Sequence, residues 1–446
     1  MGVSVVRSSH SLVKPCEKTP CTTLELSAMD KVSVLRCNAR TLHVYRHGQG
    51  AACAIKEALS RALVPYYPLA GRIKESSQGH ELQIDCCGEG VWFMEASLDS
   101  TLEAFHYFDD VVDAVASSSM NIISYDDLLP NQLPAASYEP LVQIQVTQFA
   151  CGGFVMGLIF CHSICDGLGA AQFLNAVGEF ARGLDHLSVD PVWCRDFFVT
   201  NTLAAQGPMN TIPPLPLPTV NYRLEQAHVD ISMDQIDKLK QHFLQSTGQR
   251  CSAFEIVAAS FWSCRTRAIM SNNNMLELGA TKDEEEMVKF VFFANCRRLL
   301  EPPLPKGFYG NCFFPVTMTE SREWVARASL VEVVKVIQEA KAKLPEEFGK
   351  YRKGDAEEDP FMPPLSYNTL FVSEWGRLGF NQVDLGWGPP LHIVPIQGSP
   401  IIPAGIVGWQ PQSEPNSRRG IRLMTWCVHD SHRHPFLHHI MQLYSQ

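Results

Sequence analysis

The pattern of apolar and polar residues predicts a hairpin that is followed by a helix. Strict alternation over Val142–Phe149 is typical of a strand, and the apolar run over residues 153–161 is typical of a buried strand. The Cys151-Gly-Gly153 turn joins the two runs, so they are expected to pair as a hairpin. The buried strand delivers His162 to its C-terminal end, and a helix is predicted over residues 170–178.

Similar patterns predict alternating helices and strands elsewhere. In the first half these are a strand at 42–45, a helix at 51–64 and strands at 81–85 and 90–96. In the second half they are a helix at 233–244, a helix from the Ser252 capping box to 267, a strand at 288–294, a long helix at 324–344, a strand at 421–426 and a helix at 435–444. Alternation in both halves predicts an α/β fold class with mixed sheets and helices.

A chain of 446 residues is too long for one typical core and predicts two domains. Helical and strand periodicity is lost between residues 184 and 221, where a proline-rich stretch, 208–218, excludes a helix or an inner strand. We therefore expect an N-terminal domain over 1–184, a connector over 185–221 and a C-terminal domain over 222–446.

Composition and charge limit the kinds of binding partner and cellular compartment that are expected for this chain. The net charge of −10 argues against nucleic acid, and no apolar run reaches the ~18 residues that a membrane span needs. Residues 1–7 lack the apolar region of a secretory signal, so we expect a cytoplasmic protein whose 15 cysteines are reduced thiols. No metal site is expected, because the histidines near the C-terminus match no zinc spacing and are interpreted as a solvated surface.

Three His-x-x-x-Asp pairs occur, at His106, His162 and His186. The spacing alone has little specificity, because about one such pair is expected by chance. Only His162 follows a buried strand and precedes a glycine turn, Asp166-Gly167-x-Gly169, and a helix. That context favours His162 as a general base, whereas the other two are interpreted as surface histidines.

A second informative segment is the loop Asp384-Leu-Gly-Trp-Gly388. With His162-Ser-Ile-Cys-Asp166-Gly167, it resembles the two signature motifs of the BAHD family of plant acyl-CoA-dependent acyltransferases. Further matching segments are Leu26-Ser-Ala-Met-Asp30, Tyr67-Pro-Leu-Ala-Gly-Arg72, Asn295-Cys-Arg297, Tyr309-Gly-Asn311 and Ser373-Glu-Trp375. The resemblance therefore covers essentially the whole chain.

Within that family, Cys151-Gly-Gly-Phe-Val and the residues after Asp166 resemble the branch of benzyl-alcohol benzoyltransferases, taxane acyltransferases and grass monolignol acyltransferases. One position departs from the family pattern. Leu385 stands where a phenylalanine is usual, and we expect local repacking there.

The resemblance implies a fold and a reaction. The fold would be two chloramphenicol-acetyltransferase-like domains with an active-site channel between them. The reaction would transfer an acyl group from acyl-CoA, a co-substrate, to the hydroxyl of a small specialised-metabolite alcohol. His162 would act as general base without an acyl-enzyme intermediate, and no cofactor would be needed. Relatives are usually monomers, so a monomer is expected.

The resemblance also implies roles for other residues. Asp166 would pair with Arg297 and serve the structure of the active site. Trp375 is the candidate donor to the oxyanion. The loop residues Asp384, Gly386, Trp387 and Gly388 would support structure or CoA binding, and Ser252 would either bind CoA or cap its helix.

Other functions stay open at this point. The same motifs would serve N-acylation of an amine to an amide. A non-catalytic binding or regulatory member of the family is another alternative, although the presence of His162, Asp166 and Arg297 argues against it. Thioester hydrolysis is a further alternative.

Overall fold

The structure, a computed structural model, describes residues 4–76, 82–109, 123–131, 139–197, 220, 222–271, 287–411 and 420–445. Helices and strands alternate through these residues, and the sheets contain both parallel and antiparallel strand pairs. The predicted α/β class with mixed sheets is therefore confirmed. The predicted proline-rich stretch at 208–218 lies outside the described residues.

The described strands and helices are numbered in chain order. The strands are β1 (Val6–Val13), β2 (Thr23–Glu25), β3 (Asn38–Tyr45), β4 (Arg72–Glu75), β5 (Leu82–Asp85), β6 (Val91–Leu98), β7 (Val142–Phe149), β8 (Phe154–Cys161), β9 (Leu224–Ile231), β10 (Met287–Asn295), β11 (Phe313–Ser321), β12 (Thr369–Glu374), β13 (His392–Pro395), β14 (Ala404–Trp409) and β15 (Ile421–His429). The helices are α1 (Ala51–Ala62), α2 (Gly167–Ala181), α3 (Met233–Thr247), α4 (Ala253–Met270), α5 (Arg322–Arg327), α6 (Leu330–Lys353) and α7 (Asp430–Tyr444).

Two compact units make up the chain, and each is assembled from three segments. The first unit consists of Met1–Leu215, Arg297–Cys312 and Leu378–Gly398. The second consists of Pro216–Cys296, Phe313–Arg377 and Ser399–Gln446.

The composition of the first unit differs from the predicted N-terminal domain over 1–184. The loop at Asp384, which the prediction assigned to the C-terminal domain, belongs to the first unit. The reason is strand pairing, because β13 follows this loop and pairs antiparallel with β3. A boundary drawn along the sequence could not reveal that a short strand returns from the far end of the chain.

The first unit contains a six-stranded sheet, in the order β1-β6-β7-β8-β3-β13, and a three-stranded sheet, in the order β2-β5-β4. The predicted hairpin is confirmed, since β7 and β8 pair antiparallel with Val142 opposite Phe160. Met156 and Phe160 of β8 are buried in a core with helices α1 and α2, whereas Val155 is buried in a second cluster. Burial on both faces explains why the sequence of β8 is continuously apolar.

The second unit contains a six-stranded sheet in the order β11-β10-β12-β14-β15-β9. Helix α4 is buried along most of its length, and its Phe261, Trp262 and Cys264 are fully buried. The core of this unit also includes apolar residues from α6 and α7.

The single long helix predicted at 324–344 is wrong, because two helices occupy this region. Ala328 has an extended ψ of 145°, which ends α5. Ser329 then caps α6 in a capping box with Glu332, whose carboxylate accepts the Ser329 N–H at 2.8 Å. The Ser-x-x-Glu signal was present in the sequence, but continuous apolar periodicity concealed the break.

All fifteen cysteines lie within the described residues and carry free thiols. Among the described helices, none combines the length and apolar character needed to span a lipid bilayer.

Candidate functional site

His162 stands one residue beyond the end of β8, in the turn that leads to α2. The turn is fixed from the side of β3, because the His162 N–H donates to the Cys37 carbonyl at 2.9 Å. The Ser163 hydroxyl donates to the Leu35 carbonyl at 3.0 Å. The backbone from which the imidazole projects is therefore held by hydrogen bonds, and His162 as a residue is half-buried.

Asp166 closes the same turn and caps helix α2. Its Oδ1 accepts the Gly169 N–H at 3.1 Å, the geometry of an N-cap. Arg297 donates to both carboxylate oxygens, each at 2.8 Å, and the Cys312 N–H donates to Oδ2 at 3.2 Å. The predicted association of Asp166 with Arg297 is therefore present in the structure, and both residues belong to the first unit.

The electrostatics of Asp166 follow from these contacts. Burial alone would raise the pKa of this carboxyl, but the charge and hydrogen bonds of Arg297 and the two backbone N–H donors lower the pKa below its ordinary value. Asp166 is thus held ionised by groups that fix its position. This supports a role in holding the turn.

Gly169 is required by a close approach of two chain segments. A Cβ atom at this position would lie 1.9 Å from the carbonyl oxygen of Tyr309. The glycine therefore lets the start of α2 pack against the segment that follows Arg297.

The Asp384 loop is a tight turn stabilised by its own carboxylate. Asp384 Oδ1 accepts the N–H groups of Gly386 and Gly388, each at 2.8 Å. Both glycines have positive φ, 105° and 87°, which L side chains rarely adopt. The two glycines of the motif are therefore explained by backbone conformation.

The loop also packs into the core of the first unit. Leu385 is buried there, at the position where phenylalanine was the family expectation. Trp387 lies edge-on to Phe154 of β8, with ring centroids 5.9 Å apart. Tyr45 donates its hydroxyl to the Val383 carbonyl at 3.0 Å. These contacts hold the loop against the core of the unit that carries His162.

Ser252 and Trp375 belong to the second unit. Ser252 caps α4, accepting the Glu255 N–H at 3.2 Å while Glu255 accepts the Ser252 N–H at 2.9 Å. The half-buried Trp375 donates its backbone N–H to the Val407 carbonyl at 2.7 Å. The geometry supports the capping interpretation of Ser252.

The other candidate histidines differ from His162 in their settings. His106 and His186 are exposed, as predicted, although Asp110 lies outside the described residues. In the C-terminal group, His434 and His438 are exposed, but His432 is fully buried with its Nδ1 2.9 Å from the Tyr367 hydroxyl. The interpretation of that group as a solvated surface is therefore wrong for His432. Among the described residues, no group of three His, Cys, Asp or Glu side chains could hold a metal ion.

Sequence reasoning missed three residues next to the His162 turn. Asn311 donates its amide to the His162 carbonyl and to Asp30, and Arg195 donates to the Ile164 carbonyl. Asp30 and Asn311 occur in two segments that were cited only for their family resemblance. Arg195 had no signal, because it lies in the predicted connector.

Comparison with known proteins shows similarity along most of the chain. Residues 3–407 match the model of the Transferase family. The chain is 39% identical to acyl transferase 4 of Oryza sativa subsp. japonica, over 97% of each chain. It is 35% identical to myricetin 3-O-glucosyl 1,2-rhamnoside 6'-O-caffeoyltransferase AT2 of Crocosmia x crocosmiiflora, over 98% of each chain.

The name of a third relative describes transfer of an acyl group to a nitrogen atom. The chain is 33% identical to the 3'-N-debenzoyl-2'-deoxytaxol N-benzoyltransferase of Taxus canadensis, over 86% of this chain and 84% of that one. Among solved structures, vinorine synthase matches with a TM-score of 0.69 at 20% identity, covering 99% of this chain and 100% of that one. This likeness establishes the shared fold.

Proposed function

We propose that this chain, which belongs to the BAHD family of acyl-CoA-dependent acyltransferases, forms esters by transferring an acyl group from acyl-CoA to the hydroxyl of a small specialised-metabolite alcohol. The observation that carries the proposal is His162, presented by a hydrogen-bonded turn at the end of a buried strand. The ion pair of Asp166 with Arg297 fixes the other end of that turn.

In the proposed mechanism, His162 removes the proton of the acceptor hydroxyl as its oxygen attacks the thioester carbonyl. A carbon–oxygen bond forms, the carbon–sulfur bond then breaks, and the proton passes from His162 to the departing CoA thiolate. The products are an ester and free CoA. General base catalysis of this kind contributes on the order of 10²–10⁴-fold in rate.

Asp166 and Arg297 are proposed to hold the turn rather than to transfer protons. The carboxylate meets four donors, two from Arg297 and one each from the Gly169 and Cys312 backbones. A carboxylate with a lowered pKa is a poor proton acceptor near neutral pH.

Each of the remaining candidate residues is given a separate proposed role. Trp375 is proposed as the donor to the oxyanion of the tetrahedral intermediate, which needs a positioned N–H. The Asp384 loop is proposed to stabilise the first unit, since its hydrogen bonds and its packing lie within that unit. Ser252 is proposed to act mainly as a helix cap.

An amine acceptor is the second candidate. The name of the Taxus canadensis relative favours it, whereas the name of the Crocosmia relative favours a hydroxyl acceptor. The Crocosmia relative is the more similar of the two over a larger share of this chain, so we place the hydroxyl first.

The test is a matrix of acyl-CoA donors, including acetyl, benzoyl and hydroxycinnamoyl thioesters, against alcohols and amines, with products identified by mass spectrometry. We expect ester formation that His162→Ala abolishes while the protein stays folded. His186→Ala is the matched control, since His186 is exposed, and it should retain activity. Amide products alone would replace the proposal with the second candidate.

Two further outcomes would overturn catalysis by acyl transfer. Release of CoA without an acylated product would indicate thioester hydrolysis. Binding of acyl-CoA without any turnover across the matrix would favour a non-catalytic member of the family. Full activity of His162→Ala would refute its role as general base.

A further inference from the structure

The buried side-chain amide of Asn311 donates a hydrogen bond to the backbone carbonyl of His162, the proposed general base. Asn311 is fully buried, and its Nδ2 donates to the carbonyl oxygen of His162 and to Asp30 Oδ1, each at 2.8 Å. Both partners can only accept hydrogen bonds, so the orientation of the amide is fixed by its surroundings. The Asn311 backbone N–H also points to Asp30 Oδ1, at 3.3 Å.

Asp30 is held in turn by a second set of donors. It is fully buried, and its Oδ2 accepts the backbone N–H and the hydroxyl of Ser27 at 3.0 and 2.7 Å. Arg195 Nε lies 3.4 Å from the same oxygen. A buried carboxylate supplied with these donors is a rigid acceptor for the Asn311 amide.

Arg195 links this network to a second carbonyl of the same turn. Its Nη2 donates to the Ile164 carbonyl at 2.9 Å, and its guanidinium lies 4.2 Å from the centroid of the Trp193 ring. A Cβ atom at Gly310 would lie 1.0 Å from Arg195 Nη1, so only glycine leaves room for this side chain. The carbonyls of residues 162 and 164 are thus held by one connected group of side chains.

We propose that Asn311, which is fixed by Asp30, is a positioning residue that sets the direction of the His162 imidazole through its hydrogen bond to the His162 carbonyl. The inference rests on the proposed acyl transfer, for which His162 is the general base. Burying charged and amide groups next to this turn is costly. Hydrogen bonds within such a buried network favour a single arrangement of its members. The Asp166–Arg297 pair fixes one end of the turn, and the Asn311 network fixes the residue that carries the base.

The test compares Asn311→Ala with Asn175→Ala. Asn175 is a matched control, because its Nδ2 also donates to two carbonyls of the first unit, those of Ala171 and Gly379, at 2.8 and 3.3 Å. We expect both variants to melt at a lower temperature than the wild type. We expect kcat to fall by about 10- to 100-fold only in Asn311→Ala, since misplacing a catalytic group by ~1 Å costs on the order of 10²-fold. The KM for acyl-CoA should change little.

A second readout does not depend on turnover. Diethylpyrocarbonate modifies accessible imidazoles, and its rate at His162 can be followed by peptide mass spectrometry. We expect the rate to rise in Asn311→Ala and to stay at the wild-type level in Asn175→Ala. If the wild type transfers no acyl group, the proposed function fails while this rate still tests the positioning role.

A further variant covers the case in which Asn311→Ala does not fold. Asn311→Asp alone places two carboxylates together and should be strongly destabilised. The exchange Asp30→Asn with Asn311→Asp restores an amide–carboxylate pair but presents an oxygen to the His162 carbonyl. We expect it to recover melting temperature relative to Asn311→Asp without recovering kcat. A kcat for Asn311→Ala or the exchange variant equal to that of Asn175→Ala, with an unchanged labelling rate, would overturn the proposal.

Discussion

Arg297 donates one hydrogen bond to each carboxylate oxygen of Asp166, both at 2.8 Å, although the two residues are 131 positions apart in the chain. The pair is mostly buried, with 16% of the Arg297 side chain and 10% of the Asp166 side chain exposed. A bidentate ion pair in this setting fixes two chain segments relative to each other within the first unit.

Removing one partner of this pair should destabilise the first unit. For Asp166→Ala we expect a loss of about 3–5 kcal/mol in the free energy of unfolding, because the Arg297 charge stays buried without its partner. Denaturant unfolding measures this loss. The matched control is Asp126→Ala, which breaks the exposed pair of Asp126 with Arg40 and should cost less than about 1 kcal/mol. Equal losses would refute the structural role of the pair.

The stability of the protein should depend on pH through Asp166. Its pKa is lower in the folded protein than in the unfolded chain, so its ionised form stabilises the fold. This contribution is fully present above the ordinary carboxyl pKa of about 4 and is lost as the pH falls through the lowered folded-state pKa. Unfolding of the wild type and of Asp166→Asn from neutral to acidic pH should show a stability difference that shrinks at the acidic end. A constant difference would contradict this linkage.

The close approach at Gly169 predicts a steric cost. In Gly169→Ala the new methyl group would collide with the Tyr309 carbonyl, and we expect a loss of about 1–3 kcal/mol or more in the free energy of unfolding. Gly349→Ala in helix α6 is the control, because its new methyl group would have no atom within 4 Å beyond the neighbouring backbone of its own helix. There the substitution should stabilise by roughly 0.5–1 kcal/mol, since glycine disfavours helices. Thermal melting of both variants measures the contrast.

The capping role of Ser252 predicts a loss of stability without a loss of substrate affinity. Ser252→Ala should cost about 0.5–2 kcal/mol and leave the KM for acyl-CoA unchanged. Ser329→Ala removes the same kind of capping box from α6 and serves as the control. A rise in KM that is confined to Ser252→Ala would instead assign this residue to CoA binding.

Much of the site could be predicted because its signals are local. The apolar run of β8, the glycine turn and Asp166 all lie within one stretch of sequence around His162. The partner of Asp166 came from a family resemblance, because no periodicity connects residues 131 positions apart. The long apolar pattern at 324–344 misled the prediction, since it continues across the break at Ala328.

The residues that sequence reasoning missed act through tertiary contacts. Arg195 lies in a region without helical or strand periodicity, yet its side chain is buried against Trp193. Strand β13 is only four residues long, too short for a reliable pattern, and its pairing with β3 decides where the Asp384 loop belongs. Such features depend on the assembled core.

The three-segment construction of the first unit also constrains biosynthesis. While the ribosome is still translating the second unit, β3 has no β13 beside it, and Asp166 has no Arg297 until residue 297 emerges. The nascent N-terminal sheet therefore carries β3 as an unpaired edge strand for most of translation, and the Asp166 turn lacks its cation while the 131 positions up to Arg297 are synthesised. Unpaired edge strands invite aggregation. Completion of this unit must wait until residues 378–398 are synthesised, so a chain that terminates before them would carry His162 without β13 and the Asp384 loop.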